Sequence, residues 1–402
     1  MNSPNTHGMR PADIALFLFG QRGAIERIAA TRHAWIVGAI LVLSAGISRN
    51  YDHLDLLRQP LWFIGPFTAS MVSICFIYLW ISWPLRLQDA GRYWRQFGTF
   101  LVLAWMTAPC AWLYGIPVES MTDILTATKW NIAFLAIVAL WRVAIMVRAV
   151  SVLTETSWLR ALPLVLAPAA LEAALGSMFQ GLSLVGIMGG IRLPPETQLL
   201  VKAAQVTTTT SFGLFIVMVL GTFAIKGVAQ RPLYREVSAG SRMLLPVSIL
   251  MLLTWAAIAL PWQPQVANRH RLQTLLNEED YPAAVAFASG KQRGDFPPHH
   301  RLPPEPTVRF PLKLLLILPE SAPEWLRKEW FDNLIESRIT LPRHFDAKEF
   351  AELRPRYPEI AETVTRHADG LRRRAKSLKS EEAQWLRNFE AEQKPPANPP
   401  PP

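Results

Sequence analysis

Cysteine is scarce in this chain. There are two, Cys75 and Cys110, and both fall within apolar runs, where a free thiol behaves as a small hydrophobe. Two such residues exclude a disulfide framework. Charge is thin as well, with Asp, Glu, Lys and Arg making up 18% of the residues. None of the eight histidines, and no aspartate, lies in the core of a candidate membrane span. Ionisable groups inside a bilayer are the default carriers of function, so their absence argues against Ser–His and aspartyl intramembrane proteases and against the His/Asp relays of many pumps. Phosphate loops, dinucleotide fingerprints and Cys–His zinc spacings are also missing, so no cofactor and no metal are expected.

What is present is apolar length. Half of the residues are hydrophobic, and nearly all the long runs precede residue 263. Measured against the ~20 residues needed to cross roughly 30 Å of hydrocarbon, seven segments qualify as candidate spans: 34–48, 61–83, 97–117, 130–147, 161–190, 212–229 and 243–262. The first is short. The fifth is irregular: 161–178 is helical apart from Pro163 and Pro168, and 181–190, with its glycines, reads as a loop or an unwound end. Trp62, Trp80, Trp83, Trp105, Trp112, Trp130, Trp141, Trp255 and Trp262 sit mostly near span ends, as an interfacial aromatic belt would. Residues 12–31 read as an interfacial amphipathic helix, and no cleavable signal peptide is read before the first apolar run.

The expected fold is therefore an all-α membrane protein, a bundle of six or seven transmembrane helices with a mostly helical soluble C-terminal domain. Residues 1–33 form the cytoplasmic or interfacial segment, 34–262 the transmembrane domain, 263–393 the soluble domain and 394–402 a Pro-rich tail. The net charge of +10 does not indicate nucleic acid. Residues 263–402 carry 22 basic against 20 acidic residues, whereas residues 1–262 carry 19 against 11. The excess belongs to the membrane half, where cytoplasmic loops collect Lys and Arg. Counting those loops for seven spans with the N-terminus inside gives fourteen basic residues on the cytoplasmic side and five outside. That count places the C-terminal domain outside the cytoplasm, the membrane being expected to be a bacterial inner membrane; if residues 161–190 do not cross, the split becomes twelve against seven and the domain changes side.

Within the soluble region, 272–290 reads as a short helix pair and 294–306 as a Pro-rich linker. Residues 308–318 read as a strand, and a helix capped by Ser321 carries Trp325, Leu326, Trp330, Phe331 and Leu334. Residues 368–392 form a long charged helix with Leu371, Leu378 and Trp385 at heptad spacing. Trp325, Trp330 and Trp385 look exposed.

Candidate sites are few. Glu172 is the one carboxylate inside a span, among alanines at small-xxx-small spacing that suit helix packing. It serves either as a ligand site or as the structural partner of another helix. Arg142 is its natural counterpart, unless it snorkels to the membrane surface. Gly186, Gly189 and Gly190 form a glycine-rich turn, more often structural than ligand-contacting. Asp52, His53 and Asp55 make the densest polar cluster near the membrane surface, read chiefly as a cap over the bundle. Thr207–Thr210 with Ser211 opens the sixth span, where hydroxyls bond the preceding turn. Gly181, Ser183 and Gly186 lack the spacing of a serine-nucleophile elbow, and the adjacent His299 and His300 stand without further metal ligands. No catalytic constellation is found, so an enzyme is not expected.

Gly65-Pro66 in the second span and the short-looped helices slightly resemble the Yip1-type membrane family. The stretches AIERIAATRHAWIVGAILVLSAGISRNYDHLDLLRQP and SLVGIMGGIR are similar to bacterial multi-span proteins that carry no assigned activity. The resemblance implies a helical membrane protein and puts no functional residue on this chain. The extra spans and the soluble domain depart from the five-helix Yip1 plan. The leading expectation is a membrane scaffold that binds a protein partner through its C-terminal domain. The rival is a transporter or lipid-handling protein using Glu172.

Overall fold

A computed structural model of the chain describes residues 9–51, 53–85, 90–185, 195–224, 233–234, 244–298, 301–304 and 311–340. The described residues are helical apart from short connections and fall into two compact units that divide between Val266 and Ala267. Six segments are long and apolar enough to cross a membrane: Pro60–Ser82, Tyr93–Gly115, Leu125–Thr154, Trp158–Phe179, Glu196–Phe223 and Leu244–Asn277. The described residues are thus of all-α class, and the six apolar helices are consistent with a multi-pass membrane protein.

The membrane unit begins with α1 (Pro11–Leu18) and α2 (Arg22–Ala30), where one continuous helix over 12–31 was expected. The break falls at Gly20, whose φ of +70° is accessible to glycine at no steric cost. The hairpin docks on the bundle with Ile14, Phe17, Ile25 and Ile28 buried. Trp141 donates its indole N–H to the Leu18 carbonyl at 2.8 Å, and Arg148 Nε donates to the Gly20 carbonyl at 3.2 Å.

Next comes α3 (Ala34–Asn50), which is apolar but only 17 residues long. It packs through close approaches at two glycines: a Cβ on Gly38 would lie 2.8 Å from Trp105 Cβ, and one on Gly46 would lie 2.9 Å from Pro66 Cγ. The loop after it is tied down by the buried Gln263, which accepts from Leu56 N at 2.7 Å and donates to the Leu54 carbonyl at 3.0 Å.

The helices that follow are α4 (Ile64–Ser82), α5 (Ala90–Met106), the short α6 (Val118–Met121), α7 (Ile124–Thr154), α8 (Trp158–Val185), α9 (Pro195–Ala224) and α10 (Leu244–Ala259). Asp123 caps α7 by accepting from Leu125 N and Thr126 N, both at 3.1 Å. Burial raises Asp123 only slightly; the hydrogen bonds from Thr126, its largest influence, hold the carboxyl below the ordinary range. Both prolines of the fifth span lie inside α8, as bilayer-spanning helices tolerate when neighbours re-satisfy the backbone. Residues 181–185 continue that helix rather than forming a loop. The threonine run likewise sits in the middle of α9, not at the start of a span, and Thr208 and Thr209 bond the Ala204 and Gln205 carbonyls of the turn before. The pair α8/α9 is the most extensive helix contact, helped by Gly221 against Pro163.

The tryptophans divide into two kinds. Trp83 and Trp130 are exposed, as a belt requires. Trp105 and Trp112 instead donate inward to Ser70 Oγ and Ser44 Oγ, each at 3.0 Å.

In the second unit, α11 (Gln263–Asn277, which starts in the membrane unit), α12 (Tyr281–Ser289), α13 (Leu312–Ile317) and α14 (Glu324–Thr340) follow. The helix pair over 272–290 is present, with Pro282 in the first turn of α12. The strand expected at 308–318 is not: Leu312–Ile317 is a helix, and 305–310 lies outside the described residues. The final described helix starts at Glu324, three residues beyond Ser321. Trp330, expected to be exposed, is fully buried and donates to the Pro303 carbonyl at 3.0 Å. Trp325 is half-buried against Phe296, ring centroids 6.0 Å apart. Trp385 and the heptad-spaced helix lie outside the described residues.

Candidate functional site

Four elements of the membrane unit contribute polar side chains to one region of the bundle. From α8 comes Glu172, which accepts a hydrogen bond from Ser73 Oγ of α4 at 2.7 Å. From α7 comes Arg142, whose Nε donates to Thr107 Oγ1 at 2.9 Å. Thr107 sits in the tight turn that ends α5 and in turn donates to the Ala104 carbonyl at 2.6 Å. Arg142 Nε thus has a partner inside the bundle, where the sequence reading also allowed the side chain to snorkel to the surface.

Glu172 and Arg142 form no ion pair with each other, although α7 packs on α8. Beyond Thr107, Tyr114 carries the Arg49 guanidinium 5.7 Å from its ring centroid. Two half-buried charged groups, each with its own hydroxyl partner, therefore share one neighbourhood. Burying an unpaired charge is costly, and hydrogen bonds to a hydroxyl offset part of that cost.

Sequence reading found Glu172 and Arg142 and missed Ser73 and Thr107. Hydroxyls in apolar runs usually bond their own helix carbonyls, so nothing in the local pattern separates these two from Ser82 or Thr99, which do just that. The alanines around Glu172 split by face: Ala170 and Ala174 are buried, while Ala173 is exposed. One turn on, Ser177 shares a hydrogen bond with Thr208 of α9 at 2.8 Å.

The remaining candidates do not join this region. Asp55 is buried and its Oδ1 accepts from Arg58 N at 3.2 Å, closing the turn after α3, while Arg58 Nε lies 3.6 Å from Oδ2. This is the geometry of a structural cap. His53 is exposed in the same turn. Asp52, Gly186, Gly189 and Gly190 lie outside the described residues, as do His299 and His300. No family model, curated protein or solved structure matches the chain.

Proposed function

We propose that the membrane unit receives a dipolar or zwitterionic ligand at the Glu172–Arg142 centre, and that the chain acts as a transporter or lipid-handling protein. One observation carries this reading. The carboxylate and the guanidinium come from packed helices of one bundle, yet each holds a separate hydroxyl, Ser73 and Thr107, and they form no ion pair with each other. A ligand bearing both charges would satisfy both groups at once. The reading involves no metal, no cofactor and no enzymatic step.

The test is native mass spectrometry of the full chain purified in mild detergent, beside Glu172→Gln. The expected result is a retained small molecule or lipid that falls at least tenfold in the variant. An unchanged bound population sinks the proposal.

The scaffold reading stands second, supported by a C-terminal unit with a core of its own around Leu272, Ala284, Leu314, Leu326 and Trp330. It has lost its aromatic contact surface at Trp330. Among the described residues of that unit, Ile317 alone is an exposed large apolar side chain. A protein partner retained at fixed stoichiometry in the same spectra would favour it.

A further inference from the structure

We propose that the groove between α2, α3, α4 and α5 is a binding site for one anionic phospholipid of the surrounding bilayer. The groove lies wholly within the membrane unit and has a volume of about 840 Å³, a size suited to a headgroup and the first carbons of its tails. Arg32 and Arg95 line it together with apolar and aromatic side chains that include Trp35, Met71, Leu101, Val102 and Tyr234.

The two charges stand at helix ends. Arg32 precedes α3 by two residues, and Arg95 is two residues past Tyr93, where the Tyr93–Gly115 span begins. Leu101 and Val102 lie about two turns further along α5, toward the hydrocarbon. The order of charge at the rim, then indole, then aliphatic wall repeats the order of phosphate, glycerol and acyl chain in a phospholipid. Trp35 is half exposed at that rim, where amphipathic rings settle at headgroup level.

Both arginines are exposed, and neither engages an acidic side chain among the described residues. Nearby cations do: Arg27 pairs with Asp13 and Arg22 with Glu26. Among the described residues the groove thus presents two guanidinium groups without an acidic partner, whose planar forks match phosphate oxygens bidentately. A zwitterionic headgroup would bring its own cation against them, and free phosphate would leave the apolar wall unused. This inference does not depend on the Glu172 centre, because none of that centre's residues lines the groove.

The experiment is a titration of the delipidated full chain in mild detergent, read by native mass spectrometry. The probes are phosphatidylglycerol, phosphatidylcholine and inorganic phosphate. One phosphatidylglycerol should be retained at least tenfold better than phosphatidylcholine, and inorganic phosphate should not displace it at equal concentration. The Arg32→Gln/Arg95→Gln double variant should lower retention at least fivefold. Gly98→Leu should lower it to a similar extent with every charge intact. Gly98 lines the groove and a Cβ there meets no atom within 4 Å, so this variant also covers a double variant that fails to fold. Glu172→Gln should leave phosphatidylglycerol retention as it was, which separates this site from the buried centre. Equal retention of phosphatidylcholine, displacement by phosphate, or unchanged retention in Gly98→Leu would each overturn the assignment.

Discussion

Asp13 is 1% exposed and still faces a cation: Arg27 Nε donates to its Oδ2 at 2.9 Å, and Arg10 N donates to the same oxygen at 2.7 Å. Burial pushes the carboxyl up, but the hydrogen bonds from Arg27 and Arg10 together with their charges outweigh it and hold it below its ordinary range. On Arg27 the hydrogen bond to Asp13 has the matching effect, raising an already strong base. A carboxyl depressed in the folded state stabilises the fold above its unfolded value of ~4 and loses that contribution as pH falls through the lower folded value. Asp13→Asn should therefore cost about 2 kcal/mol at neutral pH, and its deficit should shrink as pH drops below roughly 4. Thermal unfolding in detergent at neutral and acid pH checks this; a deficit independent of pH counts against the ion pair. Glycines make a second contrast at this scale. A Cβ on Gly115 would overlap the Trp255 ring, whereas one on Gly213 meets nothing within 4 Å. Gly115→Ala should destabilise by about 1–3 kcal/mol through overpacking. Gly213→Ala, inside α9, should be neutral or gain up to about 1 kcal/mol from helix propensity. Similar unfolding temperatures for the two variants would contradict the packing at Trp255.

Helices and loops are where sequence and structure can be weighed against each other. A hydrogen-bonded tie across a long stretch of sequence runs through Gln263, at the start of α11, to the loop after α3. Gln263→Leu keeps the apolar volume but strands the Leu56 N–H and the Leu54 carbonyl, a loss of about 2–3 kcal/mol; a substitution that leaves the unfolding temperature unchanged would remove this tie from the account. Neither half of the contact was legible beforehand, since the residues are some two hundred positions apart. The long elements were legible, because a run of twenty apolar residues has few alternatives. Short ones were not. Leu314–Leu318 carries no periodicity to separate strand from helix, and the structure places Leu314–Ile317 in α13 with Leu318 extended at its end. Helix ends were also poor: α9 begins at Pro195, well before the apolar stretch, through turns that mix polar and apolar residues. At the candidate centre the charged members stood out by their rarity in a span. Their hydroxyl partners did not, because choosing Ser73 over Ser82 requires the helix rotation, which packing sets. Trp330 misled for a related reason: its partner is a backbone carbonyl in a Pro-rich segment that looked like linker.

At the scale of the whole molecule the open quantity is the number of crossings, and it turns on α3. At 17 residues and 1.5 Å per residue this helix is about 25 Å long, some 5 Å short of the roughly 30 Å hydrocarbon core. The shortfall is modest, since thinning the bilayer costs only fractions of a kcal/mol per Å. The helix is also shielded, because one face is sealed by α5 and α10, so fewer lipids need to adapt. Crossing by α3 makes seven spans and sets the N-terminus and Pro402 on opposite sides; no crossing makes six and sets them on the same side. The loop after α3 distinguishes the two. Leu57 is 72% exposed there, while the native thiols are less accessible, Cys75 half-buried and Cys110 buried. In intact cells, Leu57→Cys should react with a membrane-impermeant maleimide, and a reporter active only in the cytoplasm, fused after Pro402, should stay silent. If Leu57→Cys reacts only after permeabilisation and the fusion is active, α3 stays on the cytoplasmic side. The basic residues flanking the six longer spans would then have to account for the orientation without it.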